Sequence, residues 1–220
     1  MRSCCLRQLG RVDYGRALEL QRRAAADRKA GLVPDHLFLL EHPHVITVGR
    51  NGHMENLLAS DEVLARAGIG FYPIDRGGDV TYHGPGQLVG YPILDLREWK
   101  RDVGAYVRGI EQCLIDTLAE YGIAAGRIEK LTGVWVDGRK IAAIGVHLSR
   151  WVTSHGFALN VSTDLSYFRY IVPCGLTKPV TSMAALGVRA NLEEVGERFA
   201  AHFGRIFDCE MEIVESEIPV

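Results

Sequence analysis

Hydrophobic and polar positions along this chain alternate between two periods, and the switches between them mark its elements. From Asp13 to Ala30 the spacing is helical. Asp13 can cap the N-terminus, Ala17, Leu18 and the run from Gln21 to Ala25 carry the pattern, and Gly31 is a natural stop. The residues before Asp13 form only a short apolar start. His36 to Leu40 then reads as a strand, broken at Pro43, and Val45 to Val48 as a second. A short helix covers Asp61 to Ala67 and ends at Gly68. Phe71 to Asp75 returns to strand, and Leu88 to Leu96 is strand-like after a glycine-rich stretch. Val103 to Tyr121 is the longest helical pattern.

The strongest local signal follows. Gly133 to Val136 and Lys140 to Leu148 flank Asp137-Gly138, a dipeptide favoured in two-residue turns with positive φ, and so predict a β-hairpin. Trp151 to Val161 supplies a strand beside it, Leu192 to Phe207 a closing helix and Glu210 to Val214 a last strand. Strands arriving in runs, with helices between the groups, predict an α+β (loosely α/β) fold. Its core is a mixed, largely antiparallel sheet flanked by helices. No linker, charge block or repeat divides the 220 residues, so residues 1–220 are expected to form a single domain.

Composition narrows the class. A formal net charge of −2 argues against nucleic-acid binding, which calls for a basic excess. Five scattered cysteines without CxxC pairing fit neither a disulfide framework nor a structural zinc site, and favour a reducing interior. The N-terminal residues lack a signal-peptide apolar run, and no stretch approaches the ~20 apolar residues of a membrane span. A cytoplasmic protein without membrane or nucleic-acid partners is expected.

Three features carry candidate chemistry. The first is RGGDVTYHGPGQ, residues 76 to 87, whose glycine density suits close backbone approach to a ligand as well as an elaborate turn. GPGQLVG has the wrong spacing for a dinucleotide fingerprint and precedes a strand, and Gly133 to Lys140 has arginine where a P-loop needs lysine. The second is Lys140, on a strand whose one face continues through Ala142, Ile144, Val146 and Leu148. It stands either at the rim of a buried pocket or, two residues past the turn, in water. The third is Cys174, between Pro173 and Gly175, in a segment suited to neither a long helix nor a continuous strand. That placement displays a sulfur for attack on an acyl carbon, or marks a loop cysteine with no role.

Other signals are weaker. Small residues in Ala142 to Gly145 and Gly156 to Leu159 leave space for an alkyl channel or for tight sheet packing. His83, His147 and His155 are candidates for a cluster, without a diagnostic metal spacing. Cys113 falls inside the long helix and reads as core.

RGGDVTYHGPGQLVGYPILDL and GVWVDGRKIAAIGVHLSRWVTSHGFALNVSTDLSYFRYIVPCGL closely resemble the lipoyl(octanoyl) transferase family, and the resemblance runs from about His36 to Gly187. It implies the biotin/lipoate protein ligase catalytic fold and a cofactor-free transfer of an octanoyl or lipoyl group. The implied donor is octanoyl-acyl carrier protein. The implied acceptors are lysines on lipoyl domains of 2-oxoacid dehydrogenase complexes and on the glycine cleavage H protein. By the same resemblance Cys174 is the nucleophile and Lys140 its acid/base partner. Arg76, Gly77, Gly78, Asp79, Val80, Thr81, Tyr82 and His83, with Ala143, Ile144, Gly145, Gly156, Phe157 and Ala158, are implied to line the acyl pocket. The alternatives are an ATP-dependent lipoate–protein ligase of the same fold, which needs no cysteine, and a non-catalytic module that binds an acyl chain or carrier domain.

Overall fold

Burial alternates along the first residues, with Cys4, Leu6 and Leu9 turned inward, so the short apolar start is a ten-residue strand, β1 (Arg2–Arg11). The computed structural model describes residues 2–172 and 178–214. Cys174 lies outside the described residues. After β1, Asp13 caps α1 (Tyr14–Lys29) by accepting from the backbone N–H of Gly15 and Arg16. β2 (Asp35–Glu41) and β3 (Val45–Val48) follow, buried along nearly their whole length. Ser60 caps α2 (Asp61–Arg66), and β4 (Gly70–Pro73) comes next.

The glycine-rich stretch departs from the expected loop, because it contains a strand, β5 (Val80–His83), just before β6 (Gln87–Ile93). Asp102 then caps α3 (Val103–Ala119). A short strand not expected from the pattern, β7 (Gly126–Ile128), leads into β8 (Leu131–Val136), β9 (Arg139–Ser149) and β10 (Val152–Asn160). The β8–β9 turn is as expected, with positive φ at both Asp137 (49°) and Gly138 (75°). Asn191 caps α4 (Leu192–Phe207), and left-handed Asp208 ends it before β11 (Cys209–Ile213).

The strands form two sheets. The large one has the order β11-β1-β2-β6-β10-β9-β8-β7, and the small one β4-β3-β5. Pairing is parallel at one edge, β11 to β1 to β2, and antiparallel from β2 onward. The sheet is therefore mixed and largely antiparallel, as expected. α3 and α4 bury Tyr106, Ile110, Leu114, Phe199, Phe203 and Phe207 against one face, together with Leu37, Leu88 and Phe157. α1 covers part of the other face over Phe38, Leu40, Val89 and Ile93. The small sheet and α2 share a separate core of Ile46, Leu64, Val80 and Tyr82. Between α1, the small sheet and the large sheet's second face the layers part, and a cleft opens there. Among the described residues, no helix is long and apolar enough to cross a membrane.

Candidate active site

The cleft's floor is set by the register of β9 and β10. Ala143 lies directly opposite Ala158, and Gly145 opposite Gly156, so paired small residues leave a trough in the sheet. The glycines are required by what crosses them. A Cβ on Gly156 would stand 2.1 Å from the Gly90 carbonyl oxygen, and one on Gly145 would stand 2.9 Å from that of Gly77. The loop above β9 is pinned there by Gly77 N–H donating to Val146 O at 2.8 Å, and turns at Gly78 with φ of 87°. The free space between these walls is about 450 Å³, open solvent at the mouth included.

Ten of the expected pocket residues line this cleft: Arg76, Gly78, Thr81, His83, Ala143, Ile144, Gly145, Gly156, Phe157 and Ala158. The other four do not. Gly77 contributes its backbone clamp on β9. Asp79 binds the loop beneath it, accepting from His53 N–H at 3.0 Å and Val80 N–H at 2.8 Å. Strand alternation explains the rest, since β5 turns Thr81 and His83 toward the cleft and Val80 and Tyr82 into the small-sheet core. Tyr82 stacks there on Tyr167 and shares a hydrogen bond with His44 Nδ1 at 2.7 Å.

Three lining residues were not among those expected of the pocket: Tyr14, Tyr91 and His155. Tyr14 sits at the start of α1, where nothing local marks a ligand contact. Tyr91 stands among apolar strand residues. His155 was noticed only as a member of a histidine cluster, which the structure divides. His155 and His147 flank Asp75, at 3.0 and 3.6 Å, while His83 pairs with a different group. No set of three potential metal ligands occurs among the described residues.

Toward the β8–β9 turn the cleft narrows into a continuation that shares Thr81, Ala143 and Ala158 and adds Gln87, Lys140, Asn160, Phe168 and Val180. Here the strand-face expectation for Lys140 needs correction. Val134 pairs with Ala142 but Trp135 pairs with Lys140, so one residue of β9 is extra and the strand bulges. Beyond the bulge Ala142, Ile144, Val146 and Leu148 pack in the α3–α4 core as expected. Lys140 instead joins the opposite, cleft-lining side.

Lys140 is only 7% exposed, with its side chain laid along the narrow end of the cleft. Its ammonium lies 4.8 Å from the centre of the Trp135 ring and, among the described residues, has no hydrogen-bond or ion-pair partner. Its backbone is clamped by a segment that takes the place of β10 where that strand ends. Lys140 N–H donates to Pro179 O, and Thr181 N–H donates to Lys140 O, both at 2.9 Å. On the other side of residues 173–177, Val172 N–H donates to Asn56 O at 2.8 Å.

A chain of buried polar groups links the cleft to that clamp. His83 Nδ1–H donates to Gln87 Oε1 at 2.8 Å, Gln87 Nε2 donates to Asn160 Oδ1 at 2.9 Å, and Asn160 Nδ2 donates to Thr181 O at 3.0 Å. Burial, reinforced by nearby His42, lowers His83 to about 3, so its ring is neutral with Nε2 free to accept. Burial likewise lowers His42 to about 4, where Nδ1–H donates to Val12 O and Nε2 accepts from the Tyr91 hydroxyl. Arg76 is buried at the cleft, donating to both oxygens of Thr47. Arg139 leans on Asp137 at 3.7 Å, and Arg150 lies at the far turn, roughly 30 Å along β9 from Lys140.

A crystal structure of lipoate-protein ligase A bound with ATP matches the fold with a TM-score of 0.79 at 17% identity, covering 99% of this chain and 91% of that one. Biotin protein ligase from Aquifex aeolicus in complex with biotin and ATP matches at 0.56 and 13%, covering 92% and 70%. The fold is thus that of biotin/lipoate protein ligase catalytic domains. The family model for the lipoyl protein ligase A/B catalytic domain matches residues 13–204. An octanoyltransferase of Solibacter usitatus (strain Ellin6076) is 80% identical over 211 residues, 96% of each chain. This chain belongs to the lipoyl protein ligase A/B catalytic domain family.

Proposed function

We propose that this chain is an octanoyltransferase, moving an octanoyl group from acyl carrier protein to the acceptor lysine of lipoyl domains through a thioester on Cys174. The observation that carries the Cys/Lys reading is the Lys140 ammonium: buried at the narrow end of the cleft, without an anionic or hydrogen-bonding partner among the described residues, and clamped by the segment that follows Cys174 in the chain. A buried cation needs a partner, and a thiolate nearby would supply one. The 80% identical relative carries the same activity in its name.

The steps follow. With its proton held on the Lys140 ammonium, the Cys174 thiolate attacks the donor's thioester carbonyl. The tetrahedral adduct expels the carrier thiolate, which takes the proton back from Lys140. The acceptor lysine then attacks the octanoyl–Cys174 thioester, Lys140 accepts the proton that the new amide nitrogen sheds, and Cys174 leaves as a thiolate facing the ammonium. One thioester is exchanged for another before the amide forms, so no ATP is consumed. The small-residue trough from Ala143 to Gly156 suits an unbranched chain, and neutral His83 presents an acceptor rather than a charge to it. Lipoyl domains of 2-oxoacid dehydrogenase complexes and the glycine cleavage H protein are the acceptors we infer.

The test combines two variants. Cys174→Ser should lower transfer from octanoyl carrier protein by at least about a thousandfold, the scale of losing an activated nucleophile. Near-parent transfer, or ATP-dependent use of free octanoate by the variant, would select the ligase chemistry instead. In Lys140→Ala the pH at which Cys174 reacts with a thiol reagent should move upward. An unmoved titration removes Lys140 from the role.

A further inference from the structure

The cleft floor runs along β9 and β10 from Lys140 as far as Gly145 and Gly156, about 16 Å at strand spacing, and ends at His155, which has no part in the proposed transfer steps. We infer that His155, held by Asp75 and Gln21, is the ruler of the cleft, setting the acyl chain length by ending its apolar floor in a fixed polar wall. The inference rests on the acyl-transfer reading and deepens it.

Alternation along β10 would put His155 on the same face as Phe157, which packs against Phe199 in the α3–α4 core. It does not lie there. Its backbone is left-handed, with φ of 56°, an uncommon conformation for a residue with a side chain. The imidazole consequently lies on the cleft side, edge-on to Tyr91 with ring centroids 6.4 Å apart. Two bonds hold this strained placement: His155 N–H donates to Gln21 Oε1 at 2.9 Å, and Nε2 meets Asp75 Oδ1 at 3.0 Å. Only 3% of its side chain is exposed, and the Asp75 bond holds the ring at the cleft.

Behind the imidazole lies a second cavity, bounded by Gln21, Arg22, Lys29, Asp75, His147 and Ser154. His155 and Asp75 therefore form a partition between an apolar trough and a polar space. A chain that ends short of the wall buries every methylene on Ala158, Gly156 and Gly145. A longer chain must break the Asp75 bond or push its end into the polar cavity, where apolar atoms gain nothing and polar groups lose water. Selectivity of this kind is set by a few methylenes, each worth about tenfold or more in kcat/KM.

The test compares the parent chain, His155→Gly and Asp75→Ala on acyl carrier protein loaded with octanoyl, decanoyl, dodecanoyl or tetradecanoyl groups. Glycine adopts the left-handed backbone freely, so His155→Gly removes the wall without forcing the strand to refold. In the parent, kcat/KM should fall at least about tenfold between octanoyl and dodecanoyl. His155→Gly should raise the dodecanoyl-to-octanoyl ratio by at least about tenfold, and Asp75→Ala, which only frees the imidazole, by a smaller factor. A flat chain-length profile in the parent overturns the ruler whatever the variants do. So does a ratio within about threefold of the parent's in variants that melt cooperatively. If the parent transfers no acyl group of any length, it is the acyl-transfer reading that has failed.

Discussion

Two kinds of buried polar residue meet in this cleft, and they differ in how completely they are satisfied. His42 and His83 each have neutral partners that fix their tautomers, whereas the Lys140 ammonium has none among the described residues. Lys140 and Cys174 stood out in the sequence for local reasons, one beside a turn and one between proline and glycine. Their relation was not legible, since 34 positions separate them and, among the described residues, the contact of Pro179 and Thr181 with the Lys140 backbone forms only in the fold. The histidines carry a stability prediction. Both are lowered by burial, to about 4 and about 3, while in the unfolded chain they titrate near 6.5. Below pH 6.5 the unfolded chain binds protons that the folded chain refuses, so stability present above that pH is lost as pH falls toward the folded values. Each histidine contributes about 1.4 kcal/mol per pH unit in that window, so urea unfolding at pH 5 should show about 4 kcal/mol less stability than at pH 7. Equal stabilities at the two pH values would mean that these rings are charged in the fold.

Element by element, the chain was readable where a local rule acts and obscure where a partner strand decides. α1 and its Asp13 cap, β3, the Asp137-Gly138 turn and α4 follow from capping and turn chemistry within a few residues. β5 was hidden because its alternation, Val80 with Tyr82 inward and Thr81 with His83 outward, lasts only four residues between flanking glycines. β1 was hidden because Arg7 and Gln8 interrupt its alternation, and its parallel pairing with β2 and β11 has no signature in the segment itself. The β9 bulge shows the limit best. Strict alternation placed Lys140 with Ala142 and Ile144, and one extra residue opposite β8 moved it to the cleft. The trough depends equally on neighbours. Gly156→Ala should cost about 1–3 kcal/mol of stability, because its Cβ meets backbone at Gly90 rather than a movable side chain. A urea midpoint equal to the parent's would show that β6 and β10 can separate there without penalty.

At the scale of the whole molecule, the mixed sheet gathers the site from segments spread over most of the chain. β5, β6, β9 and β10 and the start of α1 line the cleft, while α3 and α4 only brace the sheet from behind. Much of this was implied by the long motifs at residues 76 to 96 and 133 to 176, which also identified the family. What the motifs did not show is the division of labour inside them: alternate residues of one motif serve the cleft and a separate core. The account turns on Cys174 carrying the acyl group between donor and acceptor. Incubation with octanoyl-acyl carrier protein alone, followed by intact-mass measurement and peptide mapping, tests this most directly. The account predicts one octanoyl adduct per chain, on Cys174, that disappears when a lipoyl domain is added. Transfer to the lipoyl domain with no adduct on Cys174 at any time would contradict it.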